Sequence, residues 1–247
     1  MTAVERILAT ACGELGYLEK ASSEQLDSKT ANAGHANYTK YARDLDKLGV
    51  YHAKKNGYAW CDMFVDWCFI QTFGLEKAME MTCQPMGGYG AGCTASAQYY
   101  EKAGQFFESN PQPGDQIFFS KDGGRNMYHT GLVVKVESGM VYTIEGNTSS
   151  TAGVVENGGA VREKSYSLGY NKIAGYGRPD YSLAQSEEEK EMRYNTVAEC
   201  PEWARKTIQK LVDKGYLNGN GKGLNLSYDM IRVFVIFDRA NVFDRGA

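Results

Sequence analysis

The stretch "HTGLVVKVESGMVYTIEGN", His129–Asn147, decides the architecture. Two runs rich in valine, isoleucine, threonine and tyrosine flank "ESG", and this reads as a β-hairpin. A strand "GDQIFF" precedes it after the turn signal "NPQPG", and short strands follow near "GAVREKSY" and "KIAGYGRPD". The first third of the chain has a helical period instead. Val4, Ile7, Leu8, Ala11 and Leu15 share a helix face, and a second helix is expected from about Thr39 to Leu48. Helices first and antiparallel strands later predict an α+β domain, not a doubly wound parallel sheet.

In "NGYAWCDMFVDWCFIQTFG", Asn56–Gly74, the run beginning at Asp62 places Phe64, Val65, Cys68 and Phe69 on one stripe of a core-facing helix. Cys61 falls in its first turn. Cys61 and Cys68 are seven residues apart. Two helical turns, about 10 Å, put them out of reach of a disulfide. None of the six cysteines forms a CxxC unit, and the chain shows no HExxH or close ligand cluster, so no structural zinc site is expected.

At 247 residues the chain has room for a substantial domain and a small appendage. The reading places a main domain over 1–181, a polar linker over 182–195 around "SLAQSEEEKEMRYN", and a small helical module over 196–247. In the module, Pro201 and Gly215 bracket one helix, and Asn225 or Ser227 caps a second. Trp203, Tyr216, Phe234 and Phe237 are expected mostly in its core. So small a unit is expected to dock on the main domain or to dimerise with another copy. The net charge of −3 argues against nucleic acid or an anionic membrane as the main partner. No transmembrane span is visible, and the start lacks the basic segment and continuous apolar run of a signal peptide, so synthesis in a cytoplasm is expected.

A cysteine at a helix N-terminus has partial positive charge and free backbone donors beside it, which suit a thiolate and an oxyanion. A base must come from His35, His52 or His129. A three-residue turn at Glu137, Ser138 and Gly139, with Val136 opposite Met140, would set His129 opposite Asn147 and Gly131 opposite Glu145. His129, Glu145 and Asn147 then share one face, and either Glu145 or Asn147 can orient the imidazole. His52 is the rival base but has no such acceptor on a paired strand. Cys61 taken alone also fits an ordinary buried cysteine, and Cys68 fits that role well. Cys12, Cys83, Cys93 and Cys200 have no local base pattern and read as packing or exposed thiols. Asp62 reads as a helix-terminus or solvent-facing carboxylate.

Together, "WCDMFVDWCF", "PGDQIFF", "HTGLVV" and "IEGN" resemble the CHAP family, the cysteine- and histidine-dependent amidohydrolases/peptidases that cleave peptidoglycan. The resemblance implies a papain-like α+β fold over most of residues 1–180. It assigns Cys61 as nucleophile, His129 as base and Glu145 as third member, with Asn147 a further polar residue of the site. Tyr58, Trp60 and Tyr128 are groove-lining candidates. The terminal module looks like the tail of phage-type endolysins, which implies wall attachment. No cofactor is required by this chemistry. Calcium is a weaker expectation, since Asn37, Tyr38, Asp44 and Asp46 lack a compelling hard-ligand spacing. The implied function is a peptidoglycan amidase or endopeptidase of endolysin type, made in the host cytoplasm and acting at the wall. The rivals are a non-catalytic wall-binding or assembly protein on the same fold, and an intracellular deubiquitinase-like peptidase.

Overall fold

The structure, a computed structural model, describes residues 1–85, 92–121, 123–184 and 193–244. The chain divides into two compact units, Met1–Ala184 and Gln185–Ala247.

In the first unit the helices are α1 (Ala3–Gly13), α2 (Lys40–Leu48), α3 (Cys61–Phe73), α4 (Leu75–Met81) and α5 (Cys93–Lys102). They precede strands β1 (Phe106–Phe107), β2 (Gln116–Ser120), β3 (Met127–Glu137), β4 (Met140–Thr148), β5 (Ala160–Ser167) and β6 (Ile173–Gly177). The strands form one open antiparallel sheet in the order β1-β6-β2-β3-β4-β5. This is the expected α+β arrangement of helices packed on an antiparallel sheet.

Local chemistry explains the helix limits. Thr2 and Glu5 form a capping box on α1, and Thr39 caps α2 through the Ala42 amide. Helix α3 departs from the expected single stripe, because every residue from Cys61 to Ile70 is buried. It packs against α1, α2, α4, α5, β3 and β4, so it is a central helix with no solvent face to keep polar. Gly146 lets it lie directly on β4, since a Cβ there would sit 2.5 Å from that of Phe64.

The hairpin corrects the expected turn. Glu137 pairs with Met140 across Ser138 and Gly139, both at positive φ, as in a two-residue type I′ turn. A bulge at Val134 then adds one residue to β3, so Val133 pairs with Thr143 and Leu132 with Ile144. Those inner pairs are the ones the three-residue turn would have given. Two one-residue departures cancel before the strand reaches His129.

The second unit holds α6 (Glu202–Asp213) and α7 (Tyr228–Arg239), with a single antiparallel bridge between Tyr194 and Leu226. Pro201 precedes α6, and Ser227, not Asn225, caps α7 through the Met230 amide. Cys200, Ala204, Ile208, Leu226, Ile231 and Val235 make its core. Lys210 and Thr207 on α6 both bond Asp238 on α7, at 2.7 Å each. Trp203, Tyr216 and Phe237 are exposed, contrary to the core expected for them, while Phe234 packs against the core. Two helices have one mutual seam, and these rings lie off it. Of the expected linker, residues 185–192 lie outside the described residues, Tyr181–Ala184 forms a 3-10 turn and Tyr194 joins the bridge. No described helix is long and apolar enough to cross a membrane.

Candidate active site

Cys61 is the first residue of α3, preceded by Trp60, which gives no side-chain cap. The first turn of α3 therefore lacks a side-chain cap, and the backbone of Asp62 helps to hold the Cys61 thiol low. Trp60 itself is wholly buried, not groove-lining. Its indole N–H donates to Glu19 at 3.0 Å, and its ring packs on Tyr17 and Tyr41. The residue anchors the helix start from the core side.

His129 lies on β3, wholly buried, with its ring against Phe119 of β2. Its Nε2 is 3.0 Å from Glu145 Oε2 on β4. Glu145 is also fully buried and held from two further sides, by the Thr143 hydroxyl at 2.6 Å and the Tyr166 hydroxyl at 3.2 Å. Gly131 makes room for it, since a Cβ there would meet Glu145 Cγ at 2.5 Å. With Nε2 engaged, the buried Nδ1 has no hydrogen-bond partner among the described residues, and Cys61 is close enough to perturb the titration of the ring.

The electrostatics of the pair follow from these contacts. A hydrogen bond from Cys93 holds the Cys61 thiol well below its ordinary pKa against the cost of burial, and His129 pulls it the same way. Burial alone would lower the His129 pKa, but the Cys61 sulfur and the Glu145 carboxylate outweigh it and push it up to about 10. Both shifts favour a thiolate beside an imidazolium at neutral pH.

Asn147 makes no hydrogen bond to either member of this pair. Its backbone is left-handed, at φ 54°, and β4–β5 pairing shifts between Glu145 and Thr148. The alternation that would set Asn147 on the face of Glu145 is broken there. Its side-chain oxygen accepts the Gly159 amide at 3.3 Å, and its buried Nδ2 has no partner among the described residues. His35 and His52 are both exposed.

A cavity of about 290 Å³ opens onto Cys61 and is lined by Tyr58, Lys55, Cys93, Met127 and Tyr128 among others. Two of the three aromatic groove candidates thus border it. Among the described residues there is no group of three or more His, Cys, Asp or Glu side chains placed to hold a metal. Of the calcium candidates, Asp44 is tied to Arg43 and the Trp67 indole, and Asp46 accepts the Lys55 amide. As arranged they offer no free carboxylate cluster.

Two residues near the nucleophile escape sequence reasoning. Asp62 is 3% exposed, not a solvent-facing carboxylate. It accepts the Gly92 amide and the Ser96 hydroxyl at 2.9 Å each, and the Gln116 amide at 3.2 Å. The start of α3 is thereby tied to the start of α5 and to β2. Cys93, the first residue of α5, is consequently held with its sulfur 3.5 Å from that of Cys61. Only the parallel between two cysteines opening two helices hints at this, and α5 itself has a weak sequence signal after "GGYGAG".

No curated protein matches the chain. Residues 53–147, which contain Cys61, Asp62, Cys93, His129 and Glu145, match the CHAP domain, so the chain carries a CHAP domain, an architecture associated with hydrolytic, peptidase-type activity.

Proposed function

We propose that the chain is a peptidoglycan hydrolase of endolysin type that cleaves an amide bond through Cys61. The observation that carries this reading is the buried His129–Glu145 pair beside Cys61, which opens α3 and borders a cavity. The Cys61 thiolate attacks the scissile carbonyl, and the oxyanion forms beside the free amides at the start of α3. The imidazolium of His129 gives its proton to the leaving amine as the C–N bond breaks, which leaves a thioester. Neutral His129 then takes a proton from water, whose oxygen attacks the thioester and releases the acid and the thiolate. Glu145 holds the ring with Nδ1 toward sulfur and stabilises its positive charge. No cofactor enters this scheme.

The scissile bond is the N-acetylmuramoyl-L-alanine amide or a peptide bond of the stem or cross-bridge, which present the same carbonyl chemistry. The second unit serves as a wall anchor in this reading. Trp203 and Tyr228, both exposed and packed edge to face at 5.8 Å, support it as an aromatic surface of the kind that sugar rings stack on. The enzyme acts at the wall after synthesis in the host cytoplasm.

Digestion of several purified peptidoglycans by the intact protein and a Cys61→Ala variant, with mass analysis of the new termini, tests the reading. New lactyl carboxylates on muramic acid select the amidase, and new peptide amines with that link intact select the endopeptidase. Absence of any Cys61-dependent product refutes the proposal and leaves a wall-binding protein on the same fold.

A further inference from the structure

Cys93 makes and breaks no bond in the acyl-transfer scheme, yet its thiol stands at the sulfur that scheme depends on. The two thiols are 3.5 Å apart, each on the first residue of its helix, and both border the same cavity. Among the described residues no other cysteine pair is hydrogen-bonded, and Cys83, the cysteine nearest to Cys93 in sequence, donates to Gln105 instead. We infer that Cys61 and Cys93 form a redox-active pair that closes reversibly into a disulfide and masks the nucleophile.

The helix starts are already locked together, because Asp62 accepts from Gly92 and Ser96 on either side of Cys93. Closure brings the sulfurs from 3.5 Å to a bond of about 2.05 Å between two helix starts that this carboxylate already holds together. The two thiols are also chemically unequal. Cys61 is held toward the thiolate, while the hydrogen bond to Cys61 together with burial keeps Cys93 protonated. Cys61 is thus the sulfur that attacks an oxidant, and Cys93 the one that resolves the product.

With a peroxide as oxidant the steps balance. The Cys61 thiolate attacks one peroxide oxygen, the O–O bond breaks, and the departing hydroxide leaves as water with the proton of His129. Cys61 is now a sulfenic acid. The Cys93 sulfur attacks the Cys61 sulfur and displaces its hydroxyl, which takes the Cys93 proton and leaves as a second water. Two thiols have been oxidised to one disulfide and one peroxide reduced to two waters. A dithiol reductant reverses the bond by exchange.

The bond stands on the thiol geometry, and only its effect on activity rests on the hydrolase reading. The test treats the reduced full-length protein with stoichiometric hydrogen peroxide, then alkylates it and digests it without reductant for mass spectrometry. The expected product is a peptide pair joining Cys61 to Cys93, two hydrogens lighter than its separate parts and split by dithiothreitol. Murein hydrolysis is expected to fall to the level of the Cys61→Ala variant as the pair accumulates, and to return on reduction. A Cys93→Ser variant is expected to yield no such pair and to carry Cys61 on to sulfinic acid, which dithiothreitol does not reverse. Wild-type protein in which Cys61 is oxidised while Cys93 remains fully alkylatable overturns the inference. A protein that forms the bond but cleaves no murein supports the pair and sinks the hydrolase reading, so the two failures are distinct.

Discussion

Replacing Glu145 by glutamine isolates the charge behind the thiolate–imidazolium pair while keeping its shape. The glutamine oxygen can still accept from His129 Nε2, and the Thr143 hydroxyl can turn to accept from the new amide. What disappears is the negative charge. A hydrogen bond to a charged group contributes about 1.5–3 kcal/mol and a neutral one about 0.5–1.5, so the change costs the imidazolium roughly 1–1.5 kcal/mol. This is about one pKa unit. The pair should then lose range at both ends. His129, held at about 10 in the native protein, falls toward about 9 and brings the alkaline limb of hydrolysis down with it. Cys61, whose thiolate loses part of its imidazolium support, titrates higher and moves the acid limb up by a smaller amount. The alkaline limb is read from the pH profile of kcat/KM for release of soluble murein fragments. The acid limb is read without substrate, from the pH dependence of Cys61 alkylation by iodoacetamide. A Glu145→Gln protein with native thermal stability and both limbs unmoved would refute the coupling of Glu145 to Cys61 through His129.

Cys61→Ala should abolish hydrolysis while leaving sedimentation with murein intact, which separates chemistry from attachment. Gly131→Ala drives a methyl group into Glu145 Cγ, 2.5 Å away, and into the Ile144 carbonyl at 2.9 Å. It should cost at least about tenfold in kcat, read by initial rates, because misplacing a catalytic group by an ångström is enough for such a loss. Asp62→Ala leaves the Gly92 amide, the Ser96 hydroxyl and the Gln116 amide without their acceptor. At about 1–3 kcal/mol for each buried unsatisfied group the loss is roughly 3 kcal/mol or more. Calorimetry should show a Tm lower by about 6–12 °C, and Asp62→Asn, which keeps one acceptor oxygen, should fall less. A protein ending at residue 184 should retain Cys61-dependent cleavage of solubilised murein fragments and bind intact walls more weakly, as a pull-down on purified walls would measure.

The hairpin illustrates what a sequence of this kind discloses and what it hides. Alternation over "HTGLVV" and "VYTIEG" is strong enough to set which residues share a face, because a one-residue slip would exchange the face that packs on α3 for the one that packs with Phe119 and Tyr166. The turn carries no such constraint. "ESG" accommodates a two-residue turn as readily as a three-residue one, and the bulge at Val134 absorbs the difference. The pairing near His129 and Glu145 was therefore legible even though the path to it was not. Asn147 is a different case, since a left-handed residue at the end of β4 interrupts the alternation from which its facing is read. Trp60 was misplaced because an aromatic beside a nucleophile suits a groove or a core equally well, and only its bond to Glu19, forty-one residues away, decides between them.

The contact between Cys61 and Cys93 belongs to a third kind of information. Neither residue has a neighbour in sequence that announces it, and the two, thirty-two positions apart, are joined at that point by one buried carboxylate. Asp62 looked like an ordinary first-turn acid, and in a solvent-facing helix it would be one. Burying it among three donors converts a mild preference for a helix terminus into a clamp between two helix starts. The clamp sets which thiol lies beside the nucleophile. Loosening it in Asp62→Ala should therefore slow formation of the Cys61–Cys93 bond even under conditions where the variant stays folded. A variant that closed the bond as fast as the native protein would show that the two sulfurs find each other without the clamp.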